Sequence, residues 1–208
     1  DGRHRHLIDD FLDDPLFADV VDRRFRRQDN PVSENGIDDV LDVVRGDVGP
    51  PVENSPRPRR FEEALDAGVR YFDTAPNYGK SEERLGEVLQ GVRDEVFITT
   101  KLDHADAESA RKDLEQSLER LKTDHVDLLL QHCVGCGRNC TDKVLGADGS
   151  LEVLLDAKKK GLTRYIGFSC HAPQSPLLGG REGRERTLKM LNATDEWDVM
   201  MPFVNFTT

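Results

Sequence analysis

Four side chains in this chain form a set that can place a proton on a carbonyl oxygen: Asp73, Tyr78, Lys101 and His132. A free tyrosine ionises at about 10, too high for easy proton transfer at neutral pH. A nearby ammonium, here that of Lys101, favours the phenolate and lowers that value. A carboxylate such as Asp73 keeps the lysine charged and oriented. A histidine such as His132 hydrogen-bonds a carbonyl or relays a proton. Each residue alone has a plainer reading: Asp73 as a helix cap, Lys101 as a solvated strand end, His132 as a satisfied core histidine. The set matters only if the fold brings its members to one place.

The elements that must do so begin near Phe61. The apolar patterning predicts helices over Phe61–Ala67, Ser81–Leu89, Ala107–Leu121, Ser150–Lys160 and Arg184–Leu191. It predicts strands over Val69–Asp73, Glu95–Thr100, Val126–Leu130, Arg164–Phe168 and Trp197–Val204. Ser81 with Glu82 and Glu83 reads as an N-terminal helix signal. Gly68 and Gly161 read as helix stops. The strands are continuous apolar runs, the mark of parallel strands buried on both faces, and they alternate strictly with helices. That leaves an open doubly wound sheet or a (β/α)8 barrel. No glycine-rich turn follows the first strand, so the dinucleotide-binding open sheet loses its main support. The Gly-Gly-x-x-Gly run within Leu178–Gly183 follows no strand and reads as a flexible loop. In a parallel barrel the chemistry sits where strands end. The strand ends here read Asp73 to Tyr78, then Thr100-Lys101, then Gln131-His132, three neighbouring tips.

Around those residues the sequence resembles the aldo-keto reductase family. The resemblance is carried by ALDAGVRYFDTAPNYGKSEERLG over Ala64–Gly86, FITTK over Phe97–Lys101, SLERLKTDHVDLLLQH over Ser117–His132 and GLTRYIGFS over Gly161–Ser169. It implies a (β/α)8 TIM barrel, incomplete in this chain, with five to six βα units and the last two strands missing. It also implies a cytoplasmic enzyme that transfers hydride from NADPH to an aldehyde or ketone. The family's tetrad falls on Asp73, Tyr78, Lys101 and His132 without substitution. Tyr78 would protonate the carbonyl oxygen, Lys101 paired with Asp73 would lower its pKa, and His132 would orient the carbonyl. Ser169 matches a residue that hydrogen-bonds the nicotinamide carboxamide. Two neighbours of that contact depart from the family: Cys170 stands where Asn is usual, and Met201 where Gln is usual. The glycine-containing first strand has no clear counterpart before Phe61. The expectation is therefore a partial barrel over 61–208, its tetrad present and its cofactor site incomplete.

Composition narrows the partners. Net charge is -11, so phosphate-rich nucleic acid is not an expected partner. No stretch approaches the roughly 18 unbroken apolar residues of a spanning helix. The expected partner is a small carbonyl substrate. Residues 1–60 hold twelve Asp, ten Arg and no Lys, with four prolines between Pro50 and Pro58, and read as an irregular leader. Cys133, Cys136 and Cys140 follow His132 as C-x2-C-x3-C, and Cys170 lies beside His171. This is not a doubled C-x2-C pair, so free thiols or a disulfide are expected ahead of a metal site. Were Cys133, Cys136 and Cys140 to hold a metal, His171 would be the better fourth ligand, leaving Cys170 to the amide pocket. Two other functions stay open: a barrel relative that binds or regulates without catalysis, and a metal-binding loop protein.

Overall fold

The computed structural model describes residues 58–135, 139–171 and 180–202. Helix and strand alternate through them. Helix α1 spans Pro58–Asp66, strand β1 Tyr71–Asp73, and helix α2 Ser81–Val88. A 3-10 turn at Arg93–Glu95 precedes strand β2, Phe97–Leu102. Helix α3 covers Ala107–Leu121 and strand β3 Val126–Gln131. Helices α4, Thr141–Val144, and α5, Leu151–Lys160, lead to strand β4, Thr163–Cys170. Helix α6, Gly180–Leu191, and strand β5, Val199–Pro202, complete the described elements.

The strands lie in the order β1-β2-β3-β4-β5, the sequence order, with β1–β2, β3–β4 and β4–β5 paired in parallel. This is the strand-and-helix arrangement of part of a (β/α)8 barrel. All six residues of β2 and all six of β3 are buried, the polar Thr99, Thr100, Lys101, Asp127 and Gln131 along with the apolar ones. Gly167 in β4 is required by close approach: a Cβ there would collide with the Val199 carbonyl and the Leu130 side chain. Helix α5 ends at Gly161, whose φ of 74° is the left-handed cap that glycine adopts without strain. Lys158, Lys159 and Lys160 occupy its last turn, where the helix dipole favours cations.

The chain forms two compact units, and the boundary falls within β2. The first includes α1, β1, α2, Phe97–Thr99 and Glu119–Thr123. Its core holds Phe61 against Phe72, ring centres 6.3 Å apart, and Tyr71 stacked on Phe97 at 5.4 Å. Buried Glu82 in α2 is paired with Arg120 at 3.0 Å. The second unit holds the rest of β2 and α3 together with β3 to β5. Phe168 meets Trp197 edge-on at 5.3 Å, and the indole N–H donates to the Met190 carbonyl at 2.8 Å, so the large ring is buried with its one polar atom satisfied.

Several expectations are corrected. Helix α1 starts at Pro58, three residues early, because proline suits the first helical position. Ser81 is not a cap: it is the first helical residue, and its hydroxyl accepts from Thr74 Oγ1 at 2.9 Å. Strand β2 begins at Phe97 because Arg93–Glu95 closes a 3-10 turn, with the Arg93 guanidinium donating to the Val96 carbonyl at 3.0 Å. Lys101 therefore lies inside β2. The stretch read as a loop at Leu178–Gly183 enters helix α6 at Gly180. Buried Gly183, Thr187 and Met190 fall on one side of that helix, and Arg181 pairs with Glu185 across one turn at 2.8 Å; packing overrides the low helix propensity of glycine. The leader expected over 1–60 lies outside the described residues apart from the start of α1.

Candidate active site

In the first unit, Asp73 is the last residue of β1, half-buried and in register with Thr99 of β2. The chain beyond it is held to β2 by the Thr74 N–H, which donates to the Thr99 carbonyl at 2.8 Å. The buried Thr74–Ser81 hydroxyl bond then closes a short loop at its two ends. Tyr78 sits in that loop, half-buried. Its N–H donates to Ala75 O, and its carbonyl accepts from Ser81 N, each at 3.1 Å. A second tyrosine lies near: Tyr71 accepts a bond from the Thr99 hydroxyl at 3.0 Å. Burial first, and then the Asp73 charge, hold the Tyr71 phenol far above its usual pKa, so it stays protonated at neutral pH.

In the second unit, Lys101 is 2% exposed within β2, and His132, 6% exposed, is the first residue beyond β3. The two are electrostatically coupled. Burial, and then the Lys101 charge, push the imidazole below its usual pKa, while Asp103 opposes the shift. The His132 N–H donates to Leu102 O at 3.0 Å. Its Nδ1 lies 3.0 Å from Asp103 Oδ1. The Asn139 amide donates to Asp103 O at 3.1 Å and to His132 O at 2.7 Å. Behind this tip, Gln131 Nε2 donates to Leu102 O at 3.1 Å, and the Ser150 hydroxyl donates to Gln131 Oε1.

The β4–β5 register places Ser169 opposite Met201 and Cys170 opposite Pro202. Ser169 Oγ accepts from the Cys133 N–H at 2.9 Å, and Ser169 O accepts from Val134 N at 2.8 Å. The hydroxyl of Ser169 thus keeps its own proton to donate, as a carboxamide oxygen would require. Cys170 is a buried free thiol, and burial raises its pKa, so it offers only a weak neutral donor. Met201 offers a thioether, a weak acceptor unlike an amide. Cys133 is disulfide-bonded, with a left-handed φ of 51°, and Cys140 is a free thiol. A disulfide sulfur is not a thiolate, which removes Cys133 from the candidate metal ligands in this state. His171 is exposed just after β4; Cys136 lies outside the described residues. Among the described residues no group of three His, Cys, Asp or Glu side chains is set to hold a metal ion.

Sequence reasoning missed Asp103, Asn139 and the Gln131–Ser150 pair. Their partners lie 29, 36 or 19 positions away across strand tips, a separation no local pattern reveals. The one available signal for Asp103 was its place two residues beyond Lys101 at a strand end.

The parallel strands alternating with helices, with Asp73 ending β1, Lys101 inside β2 and His132 just past β3, are the architecture of part of a (β/α)8 barrel. The comparisons agree with it. The model of the Aldo/keto reductase family matches residues 49–175, and the chain belongs to that family. L-galactose dehydrogenase of Arabidopsis thaliana is 33% identical over 135 residues, 60% of this chain and 41% of that protein. Methylglyoxal reductase DkgB of Salmonella typhi is 38% identical over 111 residues, 51% of this chain and 39% of that protein. A crystal structure of an aldo-keto reductase from Pseudomonas aeruginosa superposes with a TM-score of 0.57 at 30% identity, covering 73% of this chain and 57% of that one. The chain thus spans about two fifths of the length of the curated relatives it matches. No described helix is long and apolar enough to cross a membrane.

Proposed function

We infer that the protein reduces aldehyde or ketone carbonyls to alcohols with NADPH, with Tyr78 as proton donor. The observation that carries the reading is the buried pair of Lys101, inside β2, and His132, just past β3, whose charges interact, in a chain of this family. Relatives named methylglyoxal reductase and L-galactose dehydrogenase support carbonyl–alcohol chemistry in general. When bound, the reduced nicotinamide would supply a hydride to the carbonyl carbon. Tyr78 would deliver its phenolic proton to the carbonyl oxygen, helped by the Lys101 charge and the Asp73 carboxylate, and His132 would orient the substrate. Ser169 would hold the carboxamide through its remaining hydroxyl proton, with Cys170 and Met201 beside it contributing weakly. A binding role without turnover is a second reading, favoured by the weak thiol donor at Cys170 and the weak thioether acceptor at Met201.

The test is oxidation of NADPH by the purified protein with a panel of aldehydes. Tyr78→Phe is expected to lose about 10²–10⁴-fold in rate, the usual worth of a general acid. An unchanged rate in that variant would exclude Tyr78 as the donor. NADPH binding without turnover of any carbonyl would favour the second reading.

A further inference from the structure

A cleft of about 540 Å³ lies in the second unit, between the loop after β2 and the segment that follows β3. None of Asp73, Tyr78, Lys101 and His132 lines it. One water takes about 30 Å³, and small-molecule pockets run from about 300 to 1,000 Å³, so the cleft has room for an organic ligand. Asn139 lines it while being 4% exposed, and the buried Oδ1 of that side chain has no hydrogen-bond partner. The amide gains nothing by turning over, because its Nδ2 already serves the carbonyls of Asp103 and His132. A buried acceptor without a donor is destabilising, and the residue that carries this one borders open space.

The other polar side chains of the cleft have capacity to spare. Among the described residues, Lys143 and Asp148 have no side-chain partner. Asp106 caps α3 by accepting from the Ser109 N–H at 2.9 Å and keeps further lone pairs. Asp113 grips His104, whose Nδ1 lies 3.0 Å from each carboxylate oxygen. In the neutral ring that bond leaves Nε2 as an acceptor. The cleft thus offers side-chain acceptors on Asn139, Asp106, Asp148 and His104, and one ammonium, on Lys143. A phosphate or carboxylate suits Lys143 but meets two carboxylates and gives Asn139 nothing. An alkylammonium suits the carboxylates but meets Lys143. A hydroxyl both donates and accepts, so a run of hydroxyls serves acceptors and ammonium together without adding charge.

We propose that this cleft is a binding site for a neutral polyhydroxylated molecule, a sugar or sugar alcohol, one of whose hydroxyls donates to Asn139 Oδ1. The side chains of the cleft carry this without the reductase reading, so it holds whether or not the chain turns over a carbonyl. The bound molecule also braces the β3 tip, since the amide that accepts its hydroxyl is the one that donates to His132 O.

Nitrogen-15 spectra of the purified full chain, titrated without nucleotide with D-sorbitol, D-galactose and myo-inositol, test it. At least one polyol is expected to shift the Asn139 side-chain amide and the backbone signals of Lys143 and Asp148 saturably, with Kd about 1 mM, the scale of three to four neutral hydrogen bonds. Asp148→Ala and Lys143→Met remove side chains with no other partner to lose, and each is expected to raise Kd about 3–10-fold. The control 1,6-hexanediol keeps the length of sorbitol without its inner hydroxyls and is expected not to bind. No saturable shift with any of the three polyols overturns the proposal and leaves water as the occupant. Shifts that miss Asn139, or a Kd unchanged in both variants, place the polyol elsewhere and overturn it too. Binding of 1,6-hexanediol as tight as that of the best polyol overturns the ligand class.

Discussion

Protonating His132 in the folded chain works against burial and against the Lys101 charge. The folded pKa therefore lies below the unfolded value of about 6.5. Between those two values the unfolded chain binds more protons, so stability rises with pH there. It is fully present above about pH 6.5 and is lost as pH falls toward the folded pKa. Denaturant melts at pH 7.5, 6.5 and 5.5 are expected to show that decline, and His132→Gln to flatten it; an equal slope in the variant would assign the decline to other groups. At this scale the sequence was informative about residue types and poor about partners. Asp73 ends β1, Lys101 lies inside β2 and His132 follows β3, and the carboxylate touching His132 is Asp103, not one of the four residues first singled out. Ser81 shows the same limit. Its helix-start pattern is real, yet its hydroxyl is spent on Thr74, because a buried hydroxyl takes the partner that the fold brings to it.

Elements were legible in proportion to how completely they are buried. Strands β2 and β3 are buried along their whole length, and their apolar residues, Phe97, Ile98 and Leu102 and then Val126 and Leu128–Leu130, stood out. Helix α4, four residues long, has too few turns to show a period; α6 was expected from Arg184, and only its first four residues, with two glycines, were read as loop. Where elements meet, single substitutions should be costly. In β4, Gly167→Ala places a methyl against the Val199 carbonyl and is expected to lose about 1–3 kcal/mol, the cost of overpacking, seen as a lower midpoint in denaturant. In the first unit, Glu82 is 2% exposed while its partner Arg120 is 31% exposed. Arg120→Met leaves the carboxylate in place without that guanidinium and should cost about 3 kcal/mol. Glu82→Gln removes the buried charge and lets Arg120 turn toward water, so its cost should be smaller. The reverse order in thermal melts would show that the pair is solvated rather than buried.

The whole chain carries a net charge of -11, and that excess acts on every compact state it forms. Like charges repel across the surface, and salt shortens the reach of that repulsion to about 10 Å at 0.1 M. Thermal midpoints at pH 7.5 are expected to rise by a few degrees between 20 and 300 mM sodium chloride. A flat or falling midpoint would mean that local ion pairs, such as Arg111–Glu152 and Lys158–Asp198, outweigh the net repulsion. Fold class was readable at this scale because alternation is a property of the chain order itself: helix after strand, with short connections, leaves parallel pairing as the natural outcome. The division of the chain within β2 was not readable, since the run Phe97–Leu102 continues across it without a change in composition.

The chain between Gln131 and Ser150 departs from the tip of β3 and returns to it. Its last residues are clipped to the loop after β2: Ala107 N–H donates to Asp148 O at 2.8 Å, and Ser150 N–H donates to Ala105 O at 2.9 Å. Ser150 stands at the start of α5 but makes no side-chain cap there, its hydroxyl going to Gln131 instead. The helix gives up a cap, and the loop gains a fixed pair of sockets. A segment anchored this way behaves as a cartridge with two inner rivets. Asn139 ties its near end to the loop after β2 and Val144 is fully buried, so an exchange that spares the sheet beneath must keep both of them as well as the two attachment points.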